Sequence, residues 1–131
     1  MEKNYSEAIK FFDKSTKIKP DFWQAINNKG LAYFEKNNIN LSIKLFEKAI
    51  SIEKNAEPLL GLASCLRIKD IKSALELAKK ALTKDPNYVD YDFRKEQLWG
   101  EKLQNSTEIL LQNDQLQKDV ILAKSKINAS Y

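Results

Sequence analysis

The fold of this 131-residue chain is decided by a stretch that occurs three times: NYSEAIKFFDKSTKIKP at residues 4–20, INLSIKLFEKAI at residues 39–50 and IKSALELAKKALTKDP at residues 71–86. In each copy, apolar or small residues recur with the i, i+3, i+4, i+7 spacing that places them on one face of an α-helix. Tyr5 of the first copy aligns with Ile39 of the second, 34 residues further on, and Ile39 aligns with Ile71 of the third, 32 residues further on. Self-similarity at such a period is the sequence signature of a stacked helical repeat.

A second kind of helix is predicted between the copies, and it contains a glycine each time. Asp21 and Gln24 stand at capping-box spacing ahead of the first such helix, and Gly30 lies inside it in the string GLAY. Gly61 lies in the similar string GLAS. Because glycine inside a helix costs about 0.5–1 kcal/mol relative to alanine, we expect a neighbouring backbone to come too close to both glycines to leave room for a Cβ atom.

These stretches resemble tetratricopeptide repeats. Residues 4–20 are similar to the second helix of one repeat, residues 21–54 to a complete repeat and residues 60–86, more loosely, to a third. The resemblance implies an all-α fold, a right-handed superhelix of antiparallel helix pairs whose first helices line a concave groove. The segment RKEQLWGEKL at residues 94–103 also resembles the one that follows the repeats in small proteins of this family from photosynthetic bacteria, which indicates a bacterial protein.

Departures from the usual repeat bear on the boundaries of the units. Lys54 stands where a repeat of this family commonly ends in proline, and the third unit is two residues short. Pro58 further predicts a late start for the first helix of that unit. We therefore predict a single domain with the second helix of a partial repeat at residues 1–20, a complete repeat at 21–54, a shortened repeat at 55–87 and capping helices at 88–131.

The capping region is predicted to hold a pair of helices. Apolar residues from Val89 to Leu110 indicate one long helix, within which Gly100 allows close contact with a neighbour. After a turn at residues 112–114, an amphipathic helix begins near Leu116 and carries its lysines on the outside. Such a helix keeps the end of a repeat array soluble, and the alternative is that it detaches or docks onto a partner.

The sequence contains little that could support catalysis. Histidine is absent and Cys65 is the single cysteine, which removes the commonest general base and excludes an internal disulfide. Asp90 and Asp92 stand two residues apart, so on a helix they do not face each other and more naturally serve the helix start. No phosphate-binding loop or nucleophile elbow occurs. We predict no enzymatic activity, no cofactor and no metal, and a small buried thiol at Cys65.

Charge and hydropathy bear on location and on the class of partner. No apolar run reaches the roughly 20 residues of a membrane span, and the N-terminus lacks the apolar core of a signal peptide, so we predict a cytoplasmic protein. The net charge of +4 permits an RNA-associated helical repeat as an alternative function. Only Arg67 and Arg94 are arginine, however, and the lysines alternate with acidic residues, which does not favour RNA.

A groove between the first helices of the repeats is the predicted site of function. Its amide side chains could hydrogen-bond a peptide backbone while its apolar side chains supply contact area, which suits an extended segment or a helix. For Leu31 and Leu62 the alternative is that they only cover the adjoining helices. We predict a protein–protein interaction module, an adaptor or scaffold, that binds another protein through Gln24, Asn27, Leu31, Phe34, Glu35, Leu62 and Leu66.

The N-terminal edge is the second predicted surface. The resemblance begins with a second helix, so Ala8, Phe12 and Ser15 would lack the first helix on which they normally pack. An exposed Phe side chain forfeits roughly 1.5–3 kcal/mol of burial. We therefore expect a second copy or another partner to cover this edge, and a homodimer or a self-assembling module is a further alternative.

Overall fold

Eight α-helices and two 3₁₀ turns account for most of residues 2–129, the part of the chain that the structure, a computed structural model, describes. Side chains are described from Asn4 onward. The helices are α1 (Glu2–Ile18), α2 (Trp23–Glu35), α3 (Ile39–Ile52), α4 (Ala56–Leu66), α5 (Ile71–Lys84), α6 (Tyr91–Glu96), α7 (Glu101–Leu111) and α8 (Gln117–Asn128), with 3₁₀ turns at Pro86–Val89 and Asp114–Leu116. The described residues form no strand, and the expected all-α fold is confirmed.

Helix pairs are the building units of the fold. α2 packs on α3 and α4 packs on α5, while α3 contacts α4 and so joins the two pairs. α1 contacts α2 in the way that α3 contacts α4, so α1 holds the position of a second helix. An ion pair from Lys29 to Asp13 (2.7 Å) and a hydrogen bond from Lys36 Nζ to Ser6 Oγ (2.7 Å) close the α1–α2 contact.

Both helical glycines contact the same aromatic ring. A Cβ atom on Gly30 would lie 2.8 Å from Phe46 Cε1, and one on Gly61 would lie 2.8 Å from Phe46 Cζ. Phe46 is fully buried in α3, between the two first helices. The expected close approach is therefore present, but the neighbour is a ring and not a backbone, which corrects the prediction.

The helix starts show which capping signals are used. Asp90 accepts a hydrogen bond from the backbone N–H of Phe93 (2.9 Å) at the start of α6, as expected. The prediction for Asp21 is wrong, because Phe22 is the N-cap of α2 and makes no side-chain hydrogen bond there. The late start predicted from Pro58 is also wrong. α4 begins at Ala56 and holds Pro58 in its first turn, where its missing N–H costs nothing.

The long helix expected after Val89 is broken into two. α6 ends at Glu96, Leu98 adopts a left-handed backbone conformation (φ 70°), and α7 begins after Gly100. The break lets Trp99 enter the core, where it is 4% exposed. The turn after α7 and the amphipathic α8 are present as predicted.

One continuous apolar core runs from α2 to α8. Small residues of α5 and leucines of α4 and α7 make up much of it, so the capping region shares its core with the repeats. Among residues 2–129, no helix has both the length and the apolar character needed to cross a membrane.

Candidate interaction surfaces

The faces that α2 and α4 turn away from α3 and α5 are covered by α7 of the same chain. Leu103 and Thr107 of α7 are fully buried there. The Oγ1 atom of Thr107 lies 2.7 Å from Ser64 Oγ of α4, and Ser106 Oγ donates to the Ser64 carbonyl oxygen at 2.9 Å. The groove predicted between the first helices is thus occupied from within the molecule.

Glu35 holds the N-terminus of α7. Its two carboxylate oxygens accept from the backbone N–H groups of Lys102 (2.9 Å) and Leu103 (3.0 Å). A negative charge at a helix N-terminus satisfies free N–H groups and is favoured by the helix dipole. Gly100 is required beside it, because a Cβ atom there would lie 2.2 Å from Glu35 Cδ. The close contact predicted for Gly100 is confirmed.

A second buried carboxylate, Glu57 of α4, anchors the connection before α7. Trp99 Nε1 donates to Glu57 Oε1 at 3.1 Å, and Asn27 Nδ2 donates to Glu57 Oε2. Burial raises the pKa of Glu57, and the hydrogen bonds from Trp99, Tyr88 and Asn27 oppose that rise. The pKa of Tyr88 is raised as well, by burial first and then by the charge of Glu57.

Arg94 of α6 is fully buried and ties the capping region together. Its guanidinium donates to Gln104 Oε1 (2.7 Å), to the Tyr88 carbonyl oxygen (2.8 Å) and to Glu108 Oε1 (2.7 Å). Gln104 Nε2 donates in turn to the carbonyl oxygen of Tyr91 at 2.9 Å. The 3₁₀ turn at Pro86–Val89, α6 and α7 are thereby joined through one side chain.

Most of the predicted groove residues are therefore not on an open surface. Five of them, Asn27, Leu31, Phe34, Glu35 and Leu62, are at most 8% exposed. Leu66 is half-buried, and Gln24 is exposed at the start of α2. The expected open groove is not present, because the chain folds back after α6 and α7 packs over these residues. A role of these residues in binding another protein stays a prediction.

An open cleft remains between α1, α2 and the connection that leads to α7. It has a volume of about 360 Å³ and is lined by Tyr5, Ala8 and Phe12 of α1, by Leu31 of α2 and by Leu98, without a charged residue in its walls. Leu98 is 73% exposed at its mouth. Of the predicted assembly edge, Ala8 and Phe12 therefore line the cleft together. Ser15 lies beyond the cleft, and its hydroxyl donates to the Phe11 carbonyl oxygen.

Acidic groups lie near one end of this cleft. Burial raises the pKa of Tyr5, and the charges of Glu35 and Glu101 raise it further. Glu101 is exposed, and in the part of the chain that the structure describes it forms no ion pair. The cleft therefore combines apolar walls with the unpaired carboxylate of Glu101 at one end.

Sequence comparison identifies the family to which the N-terminal helices belong. The family model of the tetratricopeptide repeat matches residues 2–22 and 24–55, which span α1, α2 and α3. No curated protein matches the chain, so the resemblance of residues 94–103 to proteins of photosynthetic bacteria stays a prediction. The matched segments, one a lone second helix and the other a complete helix pair, show that the N-terminal part of this all-helical chain is built of tetratricopeptide repeats.

Proposed function

We propose that this chain is a non-catalytic protein-binding module that holds a segment of another protein in the cleft between α1, α2 and Leu98. Tetratricopeptide repeats generally mediate protein–protein interaction. The observation that carries the proposal is that the cleft is apolar and open, while the face of α2 and α4 is filled by α7. The binding surface thus lies beside the predicted groove and shares Leu31 with it.

The walls of the cleft favour an apolar segment with a few polar groups. Ala8, Phe12 and Leu31 offer apolar contact, and the side chains of Asn4 and Asn28 at its edges can hydrogen-bond a backbone or a side chain. Mostly apolar concave sites with a few polar groups are typical of ligand and peptide sites. An amphipathic helix laid between two helices is a common occupant of such a site.

The arginines support a protein partner over RNA. Arg94 is buried in the capping region, and Arg67 is half-buried with its Nε atom bonded to Ser106 Oγ at 3.1 Å. Arginine is the side chain best suited to bidentate phosphate contacts, and the fully buried guanidinium of Arg94 is not accessible to make them. The RNA-associated alternative therefore rests on the net charge of +4 alone.

The titratable groups support a non-catalytic role. Strongly shifted pKa values often mark active sites, and here burial is the largest cause of the raised pKa of Glu57, Cys65 and Tyr88. Glu57 is 9% exposed and engaged by Trp99 and Asn27, so no substrate reaches it. Burial raises the pKa of Cys65 to about 12, which leaves almost no thiolate at neutral pH to act as a nucleophile.

The test is affinity capture from native lysate, treated with nuclease, at moderate salt. We would compare the intact chain with a cleft variant that carries Ala8→Lys and Leu98→Asn. Asparagine tolerates the left-handed conformation of residue 98, and Ala8 is on a helix, so both changes suit the backbone. The matched control is Ile68→Asp, which alters a residue that is 82% exposed and lies outside the cleft.

We expect the intact chain and the Ile68→Asp control to retain the same protein and the cleft variant to lose it. Thermal unfolding followed by circular dichroism would verify that all three are folded. Retention by the cleft variant would refute the assignment of the cleft. Retention that disappears with nuclease would instead support the RNA alternative, because phosphate contacts dominate such binding.

A further inference from the structure

The C-terminal helix carries an exposed face with no partner in the described chain. α8 buries Val120 and Ala123 and contacts α5 and the 3₁₀ turn at Pro86–Val89. Its outer side exposes Ile121 by 66% and Leu122 by 55%. Two large apolar side chains next to each other on one helix, half or more exposed, point to a contact that the single copy does not make.

The two ends of the described helix array are complementary in position. α8 contacts α5 and the 3₁₀ turn at Pro86–Val89 at the end of the array, so it lies beside a second helix, as α4 lies beside α3. Among residues 2–129 no second helix packs on its outer side. α1 is the reverse case, a second helix whose cleft marks the place of a first helix. Placing α8 of one copy against α1 of another would complete a pair.

Shape supports this placement. Lys118, Ile121, Leu122 and Ser125 stand at i, i+3, i+4 and i+7, so they surround a hole on the outer side of α8. Phe12 and Tyr5 are the aromatic side chains of α1 that line the cleft, and either could supply the large side chain that such a hole receives. A single large side chain in a hole of four residues is the standard way in which two helices interlock.

Charge supports it as well. Lys118 and Lys124 flank Ile121 on α8, and both are exposed. Glu101 lies at one end of the cleft, where its charge acts on Tyr5 and its neighbour Gly100 lines the wall. Within residues 4–129, none of these three side chains, Lys118, Lys124 and Glu101, forms an ion pair. Opposite charges across a contact steer the approach of the partners and favour the matching register.

We propose that the occupant of the cleft is α8 of a second copy of this chain, so that copies associate head to tail. The inference rests on the proposed function of the cleft and names its partner. The contact joins two different surfaces, so a pair of copies still has a free cleft on one copy and a free α8 on the other. Such a heterologous contact produces a ring if the rotation closes and an open chain if it does not.

Complementation between two blocked variants tests the heterologous contact directly. The cleft variant, Ala8→Lys with Leu98→Asn, keeps an intact α8. An α8 variant, Ile121→Glu with Leu122→Glu, keeps an intact cleft. In sedimentation velocity of the purified chains over a rising concentration series, we expect the wild type and Ile68→Asp to associate. Each blocked variant alone stays monomeric, and their equimolar mixture forms dimers and nothing larger.

Several results would overturn the proposal. The proposal fails if the wild type stays monomeric to the limit of its solubility. It also fails if the mixture of folded blocked variants forms no dimer. Self-association of either blocked variant alone would show that another contact, such as a symmetric one, holds the copies together. Circular dichroism of each variant separates these results from a failure to fold.

A charge exchange provides the second measurement. Glu101→Lys alone should weaken association at low salt, and its mixture with a Lys118→Glu chain should restore it. Equal association of all mixtures would contradict the proposed contact between Lys118 of α8 and Glu101 at the cleft. If the wild type is monomeric while the cleft still captures a protein from lysate, only the second-copy inference fails. If capture by the cleft fails too, the proposed function falls with it.

Discussion

The repeats at the N-terminal end and the capping region at the C-terminal end are held together by different interactions. Between α2, α3 and α4 the decisive contact is apolar, the ring of Phe46 against Gly30 and Gly61. From α6 to α7 the decisive contacts are buried hydrogen bonds of Arg94, Glu35 and Glu57. The repeats are therefore held together by apolar packing that recurs along the sequence. The capping region is instead held by individual buried polar groups, each of which needs a specific hydrogen-bond partner.

The largest effect is expected for Phe46→Ala, which empties the contact between two helix pairs. Removing a fully buried Phe side chain costs the lost burial and the cavity, about 3–5 kcal/mol of the free energy of unfolding. Urea unfolding followed by far-ultraviolet circular dichroism measures it. Phe11→Ala is the matched control, because Phe11 is 64% exposed and should change stability by only about 0.5 kcal/mol. If Phe46→Ala and Phe11→Ala lost the same free energy of unfolding, the view that the Phe46 ring holds the repeats together would be refuted.

The next effect is expected for Arg94→Met, which tests the polar side. The substitution leaves Gln104 and the Tyr88 carbonyl oxygen without their donor in the core, and we expect a loss of about 2–4 kcal/mol in urea unfolding. Arg67→Met is the control, since Arg67 is half-buried with one side-chain hydrogen bond, to Ser106, and should lose about 1 kcal/mol. A fully stable Arg94→Met chain would mean that apolar packing alone holds the capping region.

The smallest effect is expected for the pH dependence of stability at Glu57. Burial raises its pKa in the folded chain above the ordinary value of 4.5, so the folded state holds this proton more tightly than the unfolded state does. The stabilisation is complete below pH 4.5 and is lost as the pH rises through the folded-state pKa. Glu57→Gln should remove that loss, so its stability should fall less than the wild type's between pH 4.5 and neutral pH.

Urea unfolding at a series of pH values checks this prediction, with Glu47→Gln as the control. Glu47 is exposed on α3, and its substitution should leave the pH dependence as in the wild type. Parallel curves for the wild type and Glu57→Gln would contradict the raised pKa. They would also weaken the view that buried polar groups specify the capping region.

The same contrast explains which predictions from sequence were right. The helices of the repeats follow from a local period of apolar and small residues, and the all-α fold could be predicted from it. The break at Leu98 could not, because no local signal pairs Trp99 with Glu57, a residue 42 positions away in the sequence. Gly100 was recognised as a site of close contact, but the sequence did not identify Glu35 as the neighbour.

The candidate site shows the same division. Ala8 and Phe12 could be chosen from sequence because the resemblance begins with a second helix, and both line the cleft. Leu98 was missed, since an exposed leucine has no periodic signal to mark it. Asn27 and Glu35 were placed on an accessible groove, and they are instead 0% and 8% exposed under the capping region.

The sequence by itself determined the helices of the repeats, their pairing and the close approach at Gly30 and Gly61. These depend on contacts between neighbouring units, which a repeated pattern encodes directly. Only the tertiary structure decided that α7 covers α2 and α4 and that the cleft beside them stays open. The physical reason is that one carboxylate or guanidinium selects its partner by position in space, and two such partners can stand 67 residues apart, as Glu35 and Lys102 do.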